Sequence, residues 1–327
     1  MKKLLVILVT IACLLTLAGC SNNNNSGTDD GQDENKVYKV GVVQLVQHAA
    51  LDAATEGFID QLKEELGEEN VEVEVQNASG EFNNCTIIVN NFINDGVDLI
   101  MANATPALKA AVSATGDIPI LGTSVTEYGV ALEIEDFSGV TGINVSGTSD
   151  LAPLDEQAQM ILDLIPGVKT VGILYCSAEE NSVYQVKVVK EYLEAKGINV
   201  VVSSFADSND IASTTEALCS QVDAIYVPTD NMVASCADTV ASIVLPRFIP
   251  VITGEEGPCA QCGVATLSIS YYELGQKTGE MAAKVLTGES DISTMPIEYH
   301  PNPVKKYNKE NAELLGIVIP EDYIVIE

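Results

Sequence analysis

Short apolar stretches rich in β-branched residues alternate along the chain with longer amphipathic stretches. Residues 40–44 read VGVVQ, and residues 51–66 place Phe58, Ile59 and Leu62 on one face at helical spacing. This alternation of strand and helix predicts an α/β fold with parallel sheets covered by helices. Further strands are predicted at residues 71–75, 98–102, 118–122, 171–175, 198–203, 223–227 and 249–252, and further helices at residues 155–165 and 183–196.

The second half of the chain repeats the pattern of the first. Gly41 and Gly172 lie 131 residues apart in the first strand of each half, and the same 131 residues separate Pro119 from Pro250. A constant offset with the same order of motifs predicts two similar β-α-β lobes, each built on a parallel sheet.

Polar residues follow the predicted strands of both halves. The carboxyl ends of the strands are where open α/β sheets bind ligands, so two such rims facing each other predict one cleft between the lobes. Thr105 is expected to cap the helix that begins at Pro106. The alternative is that these residues only cap helices and form turns. The candidate ligand-binding residues are His48, Asn103, Ala104, Thr105, Ser124, Thr126, Asp150, Glu180, Asn181, Ser182, Thr229, Asp230, Asn231 and Glu255.

The first 36 residues predict an export signal followed by a tether. Lys2 and Lys3 precede a mostly apolar stretch, residues 4–17, which is long enough for a secretion signal and short for a membrane span. The sequence LAGC that ends at Cys20 resembles a bacterial lipobox, which implies a signal peptide over residues 1–19 and lipidation of Cys20. Residues 21–36 contain no apolar side chain and predict a flexible tether. An ordinary secretory signal with an incidental cysteine is the alternative.

Charge and missing motifs exclude several classes of function. The chain carries 47 acidic and 16 basic residues, a net charge of −31, and so acidic a surface repels nucleic acids. The sequence contains no G-x-S-x-G, H-E-x-x-H or G-x-x-x-x-G-K-[ST] motif. We therefore expect a binding protein and not an enzyme, with no cofactor and no metal.

The cysteines leave their chemistry open. Apart from Cys13 in the signal and Cys20, six remain: Cys85, Cys176, Cys219, Cys236, Cys259 and Cys262. The last two have the spacing of redox and zinc pairs, but no second pair or nearby histidine motif completes a set of four zinc ligands. Free or buried thiols are favoured, and one or two disulfides or a metal or redox role remain as alternatives.

Seven motifs in a fixed order carry a resemblance to a known family: VGVVQLVQHAALD, DLIMANATPALKAA, IPILGTSVTE, NVSGTSD, VGILYCSAEENSV, DAIYVPTDN and IPVITGEEG. They are similar, over about residues 40–286, to the ABC-transporter substrate-binding lipoproteins that take up tryptophan and related aromatic amino acids. The resemblance implies two Rossmann-like lobes of the type I periplasmic-binding-protein fold, joined by three hinge crossings. It also implies an extracytoplasmic, lipid-anchored monomer that delivers a small solute to a membrane permease and its ATPase. We expect this solute to be an aromatic or other apolar amino acid.

This fold implies a division of the chain between the lobes. We expect lobe one to comprise residues 37–150 and about 271–298, and lobe two residues 151–270 and about 299–327. Hinge crossings are then expected near residues 145–151, 268–271 and 296–301.

An amino-acid ligand presents an ammonium group, a carboxylate and a side chain. A buried ammonium needs an acidic partner, for which Asp150, Glu180 and Asp230 are candidates. The single arginine, Arg247, precedes its strand and so lies at the wrong end of its sheet. Backbone N–H groups and hydroxyls at helix N-termini are therefore expected to bind the carboxylate. The residues expected there are Ala104, Thr105, Asn181 and Ser182, and the candidate aromatic walls are Phe82, Tyr128, Tyr271 and Tyr272.

Two other functions fit the same sequence. One is a lipoprotein that senses its ligand without transporting it, and the other is the same fold binding a sugar or a nucleoside. His48 also has two interpretations, a loop residue bonded to backbone or a direct ligand contact.

Overall fold

Strands of two sheets alternate with helices along the chain. The computed structural model describes residues 36–300 and 302–326. The strands are β1 (Tyr38–Gln44), β2 (Val71–Asn77), β3 (Leu99–Asn103), β4 (Ile120–Val125), β5 (Val145–Ser149), β6 (Thr170–Cys176), β7 (Asn199–Phe205), β8 (Ala224–Val227), β9 (Val251–Thr253), β10 (Ala265–Ser268), β11 (Glu298–Tyr299), β12 (Val304–Tyr307) and β13 (Ile324–Val325). The helices are α1 (Ala49–Leu66), α2 (Phe82–Asp95), α3 (Thr105–Ala114), α4 (Tyr128–Ala131), α5 (Leu154–Leu164), α6 (Glu180–Ala195), α7 (Ile211–Cys219), α8 (Asn231–Ser235), α9 (Ala237–Val244), α10 (Glu256–Gln261), α11 (Tyr271–Leu286) and α12 (Lys309–Leu315).

The two sheets have related strand orders. The first sheet runs β11-β5-β4-β3-β1-β2 and the second β13-β12-β10-β9-β8-β6-β7. Neighbouring strands are parallel except β10 and β12, which pair antiparallel. We call the first sheet with α1–α4 and α11 lobe one, and the second sheet with α5–α10 and α12 lobe two. The predicted α/β fold with two parallel-dominated sheets is confirmed, and the predicted strands lie within three residues of the observed ones.

The internal repeat has a structural counterpart in the strand order. Five strands of lobe one lie in the order β2-β1-β3-β4-β5, and five of lobe two in the order β7-β6-β8-β9-β10. Gly41 in β1 faces the ring of Phe92, and Gly172 in β6 faces the side chain of Leu218, each closely enough that a Cβ would overlap it. The glycine shared by the two repeats therefore lets a helix side chain pack directly on the first strand of each lobe.

Helices α1 and α11 cross at backbone contact distance in lobe one. A Cβ on Gly57 would overlap the carbonyl of Tyr272, and one on Gly275 would overlap the backbone of Ala54. Only glycine allows this approach. The crossing matters for function because α1 follows His48 and α11 begins with a buried tyrosine, so it fixes two polar side chains relative to each other.

Three segments connect the lobes. They run from β5 to α5, from β10 to α11 and from β11 to β12. Strand β5 is irregularly paired to β4, with a register shift between Gly122 and Val125. The lobe boundaries expected from the sequence remain a prediction.

Several features predicted from the sequence lie outside the residues that the structure describes. The predicted signal peptide, Cys20 and all but the last residue of the tether lie outside the described residues. Within residues 36–300 and 302–326, no helix is both long and apolar enough to cross a bilayer. The six cysteines of this part are free thiols, and no cluster in it has the composition of a metal site.

Candidate ligand-binding site

Loops at the carboxyl ends of both sheets meet between the lobes. His48, which precedes α1, lies with its Nε2 3.2 Å from Oδ1 of Asn231 in α8. Lys109 of α3 pairs with Glu180 of α6 at 2.6 Å. The two rims are therefore in direct contact, and the cleft is closed. Beside these contacts lies a groove of about 410 Å³, lined from both lobes by residues that include Thr105.

Most of the candidate site residues are buried. Eleven of the fourteen are buried, His48 and Thr229 are half-buried, and Glu180 is exposed. Polar side chains are rarely buried without a partner, so their hydrogen bonds show what each of them does.

Unpartnered polar atoms concentrate on the candidate site residues. Among the described residues, eight buried side-chain nitrogen or oxygen atoms have no hydrogen-bond partner, and seven of them belong to the candidates. Leaving such a group unpaired costs roughly 1–3 kcal/mol. Because these atoms come from both rims and from the connection between them, a ligand in the cleft is the natural source of partners. The seven are His48 Nδ1, Asn103 Oδ1, Thr105 Oγ1, Ser124 Oγ, Asp150 Oδ1, Asn181 Oδ1 and Glu255 Oε2.

Backbone strain marks the same rim of lobe one. Ala104, after β3, has φ 94°, and Ser124, at the end of β4, has φ 54°. Non-glycine residues rarely adopt these conformations, which concentrate at ligand sites. The expected cap is corrected here: Ala104, and not Thr105, occupies the N-cap position of α3. Thr105 is already in the first turn, so its hydroxyl is free of a capping role.

Four carboxyl groups are buried in this region. Burial raises the pKa of each, and no ion pair among the described residues involves any of them. Their hydrogen bonds divide them into two pairs. In one pair the carboxyl oxygens accept from donors of the protein, and in the other each carboxyl group has an oxygen without a partner among the described residues. The four are Asp150, Glu179, Asp230 and Glu255.

Asp230 is held entirely by the protein's own donors. Its Oδ2 accepts from the backbone N–H of Cys176 and the hydroxyl of Ser182, both at 2.7 Å. Its Oδ1 caps α8 by accepting from Val233 N–H at 2.9 Å. Asp230 therefore joins β6, α6 and α8 and positions the rim of lobe two. We assign it this positioning role in place of the expected contact with a ligand ammonium.

Glu179 is the second carboxyl group that the protein satisfies internally. It accepts from the backbone N–H groups of Asn231 and Met232 and from the side-chain amides of Asn231 and Asn181. Burial, and then the neighbouring charge of Asp230, raise the pKa of Glu179 to about 8.

Sequence reasoning named Glu180 and overlooked Glu179. Helix α6 starts at Glu180, three residues earlier than expected, and Glu179 is its N-cap residue. Helical spacing places Glu179 on the face of the buried residues Ser182 and Val186, which is the signal that could have identified it. Glu180 lies off this face and pairs with Lys109, a groove residue that was also overlooked.

Asp150 and Glu255 form the acidic pair with free oxygens. Asp150, which follows β5, accepts from the hydroxyl of Tyr271 at 3.0 Å, and its second oxygen is unpartnered among the described residues. Glu255 Oε2 is likewise unpartnered there. Burial, followed by the charge of Asp150, raises the pKa of Glu255 well above its usual range. The charges of Glu179 and Asp230 act on Glu255 in the same direction. A cation beside the free oxygens of Asp150 and Glu255 would stabilise their ionised forms.

The aromatic candidates are distributed over different environments. Phe82, 46% exposed, lines the groove. Tyr271 holds Asp150, whereas Tyr128 packs in the core of lobe one and donates to the carbonyl of Thr148. The remaining candidate, Tyr272, donates to Asp60 on the outer surface. As expected, Arg247 lies away from the cleft, where it donates to Ile243 and pairs with Glu216.

Comparisons with known proteins agree with this architecture. The chain is 34% identical to a tyrosine-binding protein of Clostridioides difficile over 305 residues, which cover 90% of this chain and 87% of that protein. An ABC domain from Streptococcus pneumonia, solved in complex with L-Trp, superposes with a TM-score of 0.84 at 34% identity, covering 89% of this chain and all of that one.

A third protein is similar in sequence but differs more in structure. It is a substrate-binding protein with adhesive properties from Clostridium difficile in its ligand-free, open structure, 37% identical, with 89% of this chain and 99% of that chain covered. Its TM-score is 0.68. Residues 39–326 match the family model described as ABC transporter substrate binding protein, and the chain belongs to that family.

Proposed function

We propose that this protein is the extracytoplasmic binding component of an ABC importer that captures an amino acid with an aromatic side chain and delivers it to a permease. The observation that carries the proposal is that seven buried polar atoms without a hydrogen-bond partner belong to the residues at the strand ends of both lobes and to the connection between them. The family model, which describes a transporter component, supports transport over sensing alone. No step of this function requires the protein to act as an enzyme.

The ligand's ammonium group fits between Asp150 and Glu255. Both carboxyl groups are buried, and each has an oxygen without a partner among the described residues. A buried carboxylate needs a charged or hydrogen-bonding partner, which an ammonium group supplies. A sugar or nucleoside would supply hydroxyls but no positive charge, so this pair favours an amine ligand.

The ligand's carboxylate fits at the N-terminus of α3. The free hydroxyls of Thr105 and Ser124 lie on this rim, and the first N–H groups of a ten-residue helix lack intrahelical partners. The partial positive charge at the helix N-terminus adds to their attraction for an anion.

The groove between the lobes is the proposed binding place of the ligand's aromatic side chain. Its walls include Leu45, Val46, Phe82 and Met232, a mainly apolar lining with an aromatic ring and a polarisable thioether. The printed names of two relatives, a tyrosine-binding protein and an ABC domain in complex with L-Trp, support ligands of this class.

Ligand binding is tested by thermal unfolding of the mature chain. A ligand at 100 times its Kd stabilises the folded state by about 2.7 kcal/mol, which raises the melting temperature of a protein of this size by about 4 °C. We expect this shift with L-tyrosine or L-tryptophan and none with myo-inositol, rhamnose or adenosine. A shift with the sugars alone would refute the amino-acid assignment and leave the fold unaffected.

Anchoring and transport are tested together through Cys20. We propose that its thiol carries the lipid and that residues 21–36 tether the lobes to the outer face of the membrane. The Cys20→Ala variant should then appear in the soluble extracytoplasmic fraction, and uptake of radiolabelled tyrosine should fall to the level of a deletion strain. Unchanged uptake with a membrane-bound variant would contradict the anchor, and normal uptake in the deletion strain would contradict the transport role.

A further inference from the structure

We propose that His48 selects ligands whose aromatic ring carries an N–H or O–H donor, such as the phenol of tyrosine or the indole of tryptophan, over phenylalanine. The inference rests on the proposed function, because it assigns the residue that distinguishes among aromatic amino acids. The observation behind it concerns His48 Nδ1. The hydrogen bonds around the imidazole make this buried nitrogen a hydrogen-bond acceptor.

The hydrogen-bond chain from Glu179 assigns the imidazole hydrogen of His48 to one nitrogen. Both oxygens of Glu179 accept backbone N–H groups of α8, and the side-chain amide of Asn231 also donates to it. The amide nitrogen of Asn231 is thus committed to Glu179, and its Oδ1 points to His48 Nε2 at 3.2 Å. A carbonyl oxygen can only accept, so Nε2 carries the hydrogen and Nδ1 presents a lone pair.

The lone pair of Nδ1 is buried and has no partner among the described residues. Burial lowers the pKa of His48, with the hydrogen bond to Asn231 and the charge of Asp52 acting in the opposite direction. The imidazole is therefore neutral near pH 7, and Nδ1 remains an acceptor. The backbone of His48 is also held, because its carbonyl accepts from Asp52 N–H at 3.0 Å in the first turn of α1.

The position of His48 associates it with the ligand side chain. His48 does not itself line the groove, but its hydrogen-bond partner Asn231 lines it together with the apolar residues Leu45, Phe82 and Met232. The ammonium group has stronger acceptors in Asp150 and Glu255, whose charges attract a cation more than a neutral imidazole does. The acceptor at His48 is thus left for the aromatic end of the ligand. A ring without a donor would bury Nδ1 unsatisfied.

The expected discrimination is about ten- to hundredfold. Leaving a buried acceptor unpaired costs an amount that corresponds to this range of affinity. Sites built to bond a ligand hydroxyl discriminate against the analogue lacking it more strongly than apolar pockets discriminate by size.

The first experiment uses the unaltered mature chain. Calorimetric titration should show L-tyrosine and L-tryptophan binding at least tenfold more tightly than L-phenylalanine, and 1-methyl-L-tryptophan, which lacks the indole hydrogen, weaker than L-tryptophan by a similar factor. Equal affinities for tyrosine and phenylalanine would overturn the role of His48 while leaving the proposed function intact. Binding by none of the four would instead refute the proposed function.

The second experiment changes the acceptor. In the His48→Phe variant the ratio of tyrosine to phenylalanine affinity should fall to near one, and in His48→Gln, whose side-chain carbonyl accepts, part of the preference should return. A tyrosine preference that persists in His48→Phe would show that another residue discriminates between the ligands. Melting curves of each variant without ligand establish that the comparison is made between folded proteins. If His48→Phe does not fold, the 1-methyl-L-tryptophan comparison still decides the question.

Discussion

Replacing Asp150 with asparagine lowers the affinity for L-tyrosine by about a hundredfold. The substitution keeps the size of the side chain and an oxygen that can accept from Tyr271. It removes the charge that we propose pairs with the ligand ammonium. Removing one partner of a buried charge pair typically costs about 2–5 kcal/mol, which corresponds to a loss of thirtyfold or more. Titration calorimetry of the mature variant measures the effect.

Two controls make this result specific. Asp155→Asn is the same substitution on an exposed residue in the first turn of α5, and we expect less than a threefold change in affinity. The ligand 3-(4-hydroxyphenyl)propanoate lacks the ammonium group, so it should bind the unaltered protein weakly and lose little further affinity in Asp150→Asn. An equal loss for both ligands would place the ammonium away from Asp150.

The ligand-free protein becomes less stable as the pH rises from about 5 to 8. A carboxyl group whose pKa is raised on folding is protonated in the folded state at pH values where the unfolded chain has lost the proton. Burial and Asp230 raise the pKa of Glu179 to about 8 from its usual 4.5, and Asp150 and Glu255 are raised in the same direction. Stability is therefore fully present below about pH 4.5 and is lost towards pH 8, as melting temperatures at fixed ionic strength will show.

Ligand affinity, unlike stability, should increase as the pH rises from about 5 to 8. An ammonium group between Asp150 and Glu255 favours their ionised forms, so binding releases protons and strengthens by up to about tenfold per pH unit for each proton released. Calorimetry in two buffers of different ionisation enthalpy should give different apparent binding enthalpies. Identical enthalpies in the two buffers would show that no proton leaves and that the ligand does not neutralise this pair.

Single substitutions separate the two effects of pH. Lower pH also reduces the self-repulsion of a chain with net charge −31, which stabilises the protein in the same direction. Glu179→Gln should flatten the pH dependence of melting relative to the unaltered protein, and Glu255→Gln should reduce proton release on binding. Glu256→Gln is a matched control for the second variant, because Glu256 pairs with Lys306 outside the cleft. If Glu179→Gln and Glu255→Gln both keep the full pH dependence of the unaltered protein, that dependence comes from the net charge.

The sequence predicted the fold well because the patterns that encode it are local. Strand and helix periodicity in residues 38–66 or 170–195 is visible within each segment, and the repeat shows that two such units follow one another. The rule that ligands bind at the carboxyl ends of parallel strands then selected the loops from which the candidate residues were taken. Seven of the fourteen candidates indeed carry unpartnered buried atoms.

The roles of individual residues did not follow from the sequence. Asp230 and Asp150 both follow strands and both are acidic, but one is saturated by backbone and hydroxyl donors and the other keeps a free oxygen. Glu179 and Glu180 are adjacent, yet only Glu179 turns inward, because the helix begins earlier than its composition suggests. Ala104 takes the cap position expected of Thr105.

The amino-acid sequence by itself determined two repeated α/β lobes, an acidic chain and a rim of polar residues on each lobe. Only the tertiary structure decided which buried polar atoms the protein satisfies and which have no partner among the described residues. The physical reason is that hydrogen-bond partners come from distant parts of the chain, as with His48 and Asn231, 183 residues apart, or Asp150 and Tyr271, 121 residues apart. Local sequence patterns determine the helices and strands, whereas the packing of distant segments determines the hydrogen bonds between the lobes.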